Sequence, residues 1–218
     1  MPYYTQHDEP VLIWTGKVML DGRLTVPANA PGVVVLAGLG GTWQHAGHRT
    51  VATHLIEAGF ATVISDLLTP DEQQFDKRTG HFRVDLPFLA HRVSDIVQWT
   101  ERHEATCDLP VAYFGSSAAG SAGLVAVAKG LELFALVMNA ARTDLLADEQ
   151  VKTPCLLLID ANDTAVKIGA NAAIRKNGHS VLVVSGSSGP MESSAALEAV
   201  ASSTVGWIQE RVPQVALT

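Results

Sequence analysis

The sequence predicts an α/β fold: a doubly wound, mostly parallel sheet forming one domain over residues 1–218. Three observations carry that prediction. Short apolar runs recur along the chain without the apolar–polar alternation of a half-exposed strand. Continuous apolar strands are those covered by helices on both faces. Helical patterns separate the runs, and strand–helix alternation is how a doubly wound sheet is built. Finally, the 218 residues are 47% hydrophobic and only 17% charged, against about 25% charged in an average domain. That composition supplies a substantial core and excludes disorder as the main state.

The elements follow in order. Val11 to Trp14 reads as an edge strand. Lys17 to Leu20 and Leu24 to Val26 read as a hairpin around Asp21-Gly22, a dipeptide suited to a tight turn. Four buried strands follow at Val33–Leu36, Ala61–Ile64, Val111–Phe114 and Leu133–Val137, then two more at Cys155–Ile159 and Val181–Val184. Val51, Leu55 and Ile56 mark a helix that Gly59 ends. Leu89, Val93, Ile96 and Val97 mark another, opened by Asp85 as N-cap with Pro87 in the first turn. Ala118 to Ala128 is a helix of small residues suited to close packing on a sheet. Leu197, Val200, Val205 and Ile208 line the last helix, which stops near Pro213. Ligands of such a sheet sit beyond the C-terminal strand ends.

Composition narrows the function. The net charge is −7 with no block of Lys or Arg, so no nucleic-acid or anionic-membrane partner is expected. Met1 to Asp8 has neither the basic nor the apolar region of a secretory signal, and no apolar run reaches ~18 residues. Cys107 and Cys155 have no metal or redox spacing, which reads as two reduced thiols in a cytoplasmic protein. No metal or cofactor is expected. The expected partner is a small-molecule substrate, and the apolar edge strand and helices suit a homodimer as well as a monomer.

Three loops carry candidate chemistry. Tyr113-Phe114-Gly115-Ser116-Ser117-Ala118-Ala119-Gly120 joins a buried strand to a helix. It resembles the G-x-S-x-G turn that lifts a nucleophilic serine above a sheet, with alanine at the last position. Ser117 is equally readable there as a helix cap. Ala37-Gly38-Leu39-Gly40-Gly41-Thr42 brings backbone N–H groups near an oxyanion. Trp43 stands where a dinucleotide loop needs its third glycine, and no P-loop lysine is present. Asp163, after the Cys155–Ile159 strand, either orients a catalytic base or caps the helix beginning near Ala165.

The order of serine before acid on this framework is that of the α/β-hydrolases. Glu57-Ala58-Gly59-Phe60-Ala61-Thr62-Val63-Ile64-Ser65-Asp66-Leu67-Leu68-Thr69-Pro70-Asp71-Glu72 resembles an "AGLATLLLDLLTPEE" run of the dienelactone-hydrolase-like branch. Phe82 to Ala90, Leu109 to Gly120 and Thr153 to Ile159 are similar to that branch too. The resemblance runs from about Pro31 to Val212. It implies a minimal α/β-hydrolase fold; at 218 residues no room is expected for a separate cap domain, so the pocket should be covered only by loops, chiefly Leu67–Val84 and Asn139–Gln150. It places the nucleophile on Ser117, the acid on Asp163 and the oxyanion donors on the N–H groups of Leu39 and Ala118. Gly38, Trp43, Arg142 and Glu192 are candidate substrate contacts, and Phe82 a further pocket residue.

The chain departs from the family at two positions. Gly189 occupies the place of the catalytic histidine in Gly186-Ser187-Ser188-Gly189-Pro190-Met191-Glu192, and no histidine lies from Val181 to Thr218. Ala37 stands where the family commonly has a histidine. A serine hydroxyl is a weak nucleophile without a base. His45, His48 and His81 lie in loops on the catalytic side and are candidate bases, as is Glu192. Surface-loop histidines are the plainer reading of the first three. His54, His91 and His103 fall on helices, and His179 falls at the wrong end of the sheet. Three functions are compatible with this pattern. One is hydrolysis of a small ester, lactone or thioester through Ser117 with an atypical base. Another is a repurposed lyase, isomerase or cyclase without an acyl-enzyme. The third is a non-catalytic binding protein.

Overall fold

The computed structural model describes residues 5–42, 44–141, 151–160, 179–184 and 194–213. Eight strands form one sheet in the order β1-β2-β4-β3-β5-β6-β7-β8. They are β1 (Thr5–Trp14), β2 (Met19–Pro27), β3 (Val33–Gly38), β4 (Ala61–Asp66), β5 (Val111–Ser116), β6 (Ala135–Asn139), β7 (Cys155–Asp160) and β8 (Ser180–Val184). β1 and β2 pair antiparallel, as do β2 and β4; the pairings from β4 to β8 are parallel. The described helices are α1 (Ala46–Glu57), α2 (Pro70–Thr79), α3 (His81–Val84), α4 (Leu86–Arg102), α5 (Ala118–Ala128) and α6 (Ser194–Gln209).

The continuous apolar strands have the expected cause. In β3, Val33, Val35 and Ala37 join the core formed with Leu89, Val93, Ile96 and Val97 of α4. Val34 and Leu36 join the opposite core, with Val51 and Leu55 of α1 and Val200 and Ile208 of α6. Both faces of each central strand are therefore buried, and alternation would be unfavourable. Asp85 caps α4 by accepting from the Phe88 N–H at 3.1 Å. Gly59 adopts φ +90° just past α1, a left-handed position that suits glycine.

Three expectations need correction. The hairpin turn is not at Asp21-Gly22, because β2 runs straight through them. The chain reverses at Thr15–Val18, where Gly16 has φ +79° and Trp14 pairs with Met19. Gly22 serves close approach instead: a Cβ there would sit 3.1 Å from both the Ile64 carbonyl oxygen and Val11 Cγ2. The Leu133–Val137 strand is β6 at Ala135–Asn139, two residues later. The segment Leu67–Val84 is not only loop, since it contains α2 and α3. α2 has no apolar stripe to betray it, but it has a full set of ends. The Thr69 hydroxyl accepts from the Glu72 N–H, the Glu72 carboxylate accepts from the Thr69 N–H, Pro70 opens the first turn and Gly80 closes it at φ +67°.

Candidate active site

The turn from β5 to α5 sets the site. Ser117 has φ +52° and ψ −121°, a conformation that strains a non-glycine residue. Its N–H donates to the Asn139 carbonyl at 2.8 Å, and its carbonyl accepts from the Ser121 N–H at 3.0 Å and the Ser121 hydroxyl at 3.1 Å. Its own hydroxyl makes no helix-capping hydrogen bond, and the residue is exposed. The cap reading therefore fails on geometry, and the hydroxyl is free above the strand end.

The neighbours explain how the strained turn persists. A Cβ on Gly115 would lie 2.7 Å from the Gly120 nitrogen, and one on Gly120 would lie 2.6 Å from the Gly115 carbonyl oxygen. The tight approach falls on Gly120, so Ala119 fits at the last position of the serine motif, fully buried. Tyr113 donates its hydroxyl to the Ala119 carbonyl at 2.9 Å, and its ring lies where any Cβ on Gly123 would stand. Complete burial pushes the Tyr113 phenol above its ordinary pKa and keeps it a neutral donor.

A second loop faces this turn. Gly38 must lack a side chain, because a Cβ would approach the Thr42 hydroxyl oxygen to 2.5 Å. Leu67 N–H donates to the Gly38 carbonyl at 2.7 Å. Asp66, at the end of β4, accepts from the backbone N–H groups of Gly41 and Thr42 at 2.9 and 2.7 Å and from the Gln73 amide at 3.1 Å. A carboxylate accepting several N–H bonds is a strong, directional anchor, and it fixes the loop carrying Leu39.

Leu39 and Ala118 meet at one cleft of about 350 Å³ above Ser117. Ser121, Ala140, Arg83, Val84 and Leu86 complete its described lining. Arg83 donates from Nε to Asp76 Oδ2 at 2.8 Å and from Nη2 to the Asp76 backbone carbonyl at 3.2 Å, with Nη2 also 2.8 Å from Oδ2 as an ion pair. Asp76 also accepts from the N–H groups of Phe82 and Arg83 at 2.7 and 3.1 Å. Burial of Asp76 opposes its charge, but these hydrogen bonds outweigh it and hold the carboxyl below its ordinary range. Arg92 supports the same region from below. It is buried, makes a bidentate contact to Glu72 at 2.7 Å for both bonds, and donates to the Leu67 carbonyl at 2.7 Å.

The candidate histidines separate clearly. His48 is 5% exposed on α1, packs edge-on to Phe114 at 5.8 Å, and its ring nitrogens make no well-formed hydrogen bond among the described residues. Burial, and then the neighbouring His45, pushes its pKa down to about 4, against smaller opposing effects of Ala37 and Asp66. It is a neutral core residue, not a cleft base. His45 is exposed before α1, its ring 5.5 Å from that of His48. His81 is exposed at the start of α3, against Phe75 and Phe82. Neither lines the cleft, so among the described residues no histidine does. Phe82 packs on Phe88 at 5.2 Å and does not line it either. Asp163, Arg142, Trp43, Gly189 and Glu192 lie outside the described residues. Gly38 sits at the end of β3 beneath the oxyanion-type loop.

Two residues escape the sequence reading, Asp66 and Arg83. Asp66 has a legible signal, an acid ending a parallel strand beside a glycine loop. Arg83 has only its place in the segment Phe82 to Ala90.

Among the described residues no helix is long and apolar enough to cross a membrane. No family model matches the sequence. A dienelactone hydrolase from Anabaena variabilis is 33% identical, with a TM-score of 0.87 over 95% of this chain and 99% of that one. An esterase from Pyrococcus furiosus shares the fold at 13% identity, with a TM-score of 0.74 over 95% of this chain and 92% of that one. Mycobacterium tuberculosis proteins provisionally named phosphoribosyl transferases are 36% identical over 206 residues, 92% of this chain and 46% of theirs. The chain thus spans about half the length of the curated relatives it matches. The sheet order, the strained serine turn and the full-length match to the Anabaena enzyme agree: the chain belongs to the dienelactone hydrolase-like family of the α/β-hydrolase fold.

Proposed function

We propose that this protein hydrolyses a small ester, lactone or thioester through Ser117. The observation that carries the reading is the strained φ of Ser117, with its hydroxyl uncommitted at a cleft shared with Leu39 and Ala118. Ser117 Oγ attacks the carbonyl carbon, and the developing oxyanion accepts from the N–H groups of Leu39 and Ala118. The leaving group departs with a proton, and water then releases the acyl group from Ser117. Asp163 is the acid that supports proton transfer. Of the candidate bases His45, His81 and Glu192, the two histidines stand outside the cleft lining, so Glu192 is the one this reading favours, and Gly38, Trp43 and Arg142 contact the substrate. The unpaired Cys107 and Cys155 favour a reducing, cytoplasmic setting.

The test is labelling with a fluorophosphonate, read by intact mass and peptide mapping in the wild type and in Ser117→Ala. One label per chain at Ser117 is expected, with none in the variant. Labelling rates in His45→Gln, His81→Gln and Glu192→Gln then identify the base. An unlabelled but cooperatively melting wild type overturns the mechanism.

The cleft without a histidine favours a second reading, in which the same N–H groups stabilise an enolate or other oxyanion without an acyl-enzyme. Turnover that survives Ser117→Ala identifies that case. Ligand binding with neither labelling nor turnover identifies a non-catalytic binding protein.

A further inference from the structure

A second cavity, of about 310 Å³, lies directly across Leu39 and Arg83 from the Ser117 cleft, and those two residues line both. Each cavity is of the size that holds a small ligand or part of one, ~300 Å³ upward. The second is unusual in its charge. Lys77 of α2 and Arg83 of α3 both line it, in a chain whose net charge is −7. Its one carboxylate, Asp76, is 3% exposed and already engaged: Oδ1 accepts from the N–H groups of Phe82 and Arg83, and Oδ2 accepts from Arg83 Nε and is ion-paired with Nη2.

Apart from the Gln44 amide, the side-chain donors left over are cationic. Lys77 makes no hydrogen bond or ion pair among the described residues, and Arg83 has no partner at Nη1. The Gln73 amide is not among the free donors, because it is held by Asp66 at 3.1 Å and the Leu68 carbonyl at 2.9 Å. Arg83 is itself fixed by Asp76, so its guanidinium is positioned before any ligand arrives.

We propose that this cavity is an anion subsite of the Ser117 cleft, taking the phosphate of a small phosphomonoester whose ester or lactone carbonyl lies at Ser117. The proposal rests on the hydrolase reading for the carbonyl and on Lys77 and Arg83 for the phosphate. A single carboxylate is matched by one guanidinium fork. The open Nη1 of a guanidinium already fixed by Asp76, beside a free ammonium, suits the higher charge and three oxygens of a phosphate. The shared walls, Leu39 and Arg83, let one molecule touch both sites.

The test uses the full chain at low ionic strength and titrates glycerol 3-phosphate, glycerate, inorganic phosphate and glycerol by calorimetry. The same compounds are scored for slowing of fluorophosphonate labelling. Glycerol 3-phosphate is expected to bind more tightly than glycerate, to slow labelling and to lose affinity at least about tenfold in Lys77→Glu, a change of ~1.4 kcal/mol. Lys77→Gln is expected to fall between, and a cooperative melt checks that each variant is folded. Arg83→Lys, which keeps the charge and loses both the Asp76-held guanidinium and its open Nη1, is expected to weaken binding too. Equal binding of glycerol 3-phosphate and glycerate overturns the phosphate assignment, as does unchanged affinity in Lys77→Glu. Inorganic phosphate binding with glycerol 3-phosphate excluded overturns the substrate role. Ser117 labelling without phosphate binding removes the subsite alone. Phosphate binding to a chain whose Ser117 is never labelled supports the subsite and removes the acyl-enzyme.

Discussion

Gly115 and Gly120 touch backbone to backbone, so closely that a methyl on Gly120 would lie 2.6 Å from the Gly115 carbonyl oxygen. Both partners at the contact are main chain, and neither can swing aside as a side-chain tip would. The strained conformation of Ser117 sits between them and depends on that approach.

Gly120→Ala is therefore expected to destabilise the protein by about 1–3 kcal/mol, the usual cost of overpacking. For a chain of this size, each kcal/mol lowers the melting temperature by about 2–4 °C. Labelling of Ser117 should fall with it, since the turn must open to admit the methyl. Ala119→Gly is the control, because its position has no such contact. A melt of Gly120→Ala that matches the wild type would remove the close approach as the cause of the elbow.

Asp66 ties the facing loop to β4 through the N–H groups of Gly41 and Thr42. Hydrogen bonds to a charged group contribute about 1.5–3 kcal/mol. Asp66→Ala is expected to cost that much and to slow labelling of Ser117, because Leu39 loses its fixed position. Asp66→Asn should sit between, with one acceptor oxygen retained. Thermal melts and labelling rates measured side by side check it. A lower melting point with an unchanged labelling rate would make the clamp purely structural.

Much of this was legible in the sequence, for identifiable reasons. The parallel strands are readable because burial on two faces leaves a continuous apolar run, as in Val33 to Leu36. The small-residue helix is readable because Gly123 must clear the Tyr113 ring. Gly22 misleads because local patterns do not distinguish a glycine needed for a turn from one needed for close approach. α2 is hidden because its stability lies in its ends and in the Glu72–Arg92 contact, not in an apolar stripe. Arg83 is hidden because its position depends on Asp76, seven residues away and on another helix. His48 illustrates the limit for histidines: loop proximity in sequence suggests a base, yet the α1 helix turns the ring into the core.

Arg92 is 5% exposed and has both guanidinium ends on Glu72. Burial works against the Glu72 charge, but the hydrogen bonds from Arg92 and Thr69 outweigh it and hold the carboxyl below its ordinary range. Arg92→Ala strips that partner and leaves the Leu67 carbonyl without its donor. The expected loss is about 3 kcal/mol, the lower end for breaking a buried pair, since Glu72 is partly exposed. Arg92→Met, which keeps the packing on Phe88, should lose less. Chemical denaturation checks both: equal losses would assign the effect to the ion pair alone, and a near wild-type Arg92→Met would assign it to packing.

His48 gives the fold a pH dependence whose sign follows from its burial. In the unfolded chain it binds a proton near its ordinary value of 6.5, whereas the folded state refuses one until about pH 4. Between those values the unfolded state holds more protons, so stability rises with pH and is lost as pH falls through the window. The shift corresponds to an upper value of roughly 3 kcal/mol. The carboxylates of Asp8, Glu72 and Asp76 are held low in the folded state, so their contribution is lost as pH falls below the ordinary values of 3.8 and 4.5, overlapping the His48 window only at its acid end. His179, whose pKa is also lowered by burial, adds a slope of the same sign in the same region. His48→Phe preserves an aromatic ring against Phe114 and has nothing to protonate. It is expected to flatten, without abolishing, the fall in unfolding free energy from pH 6.5 to 4, leaving the His179 part. Denaturant titrations at half-unit steps check this. A wild-type slope in His48→Phe would mean that the buried ring is not the group that takes up the proton.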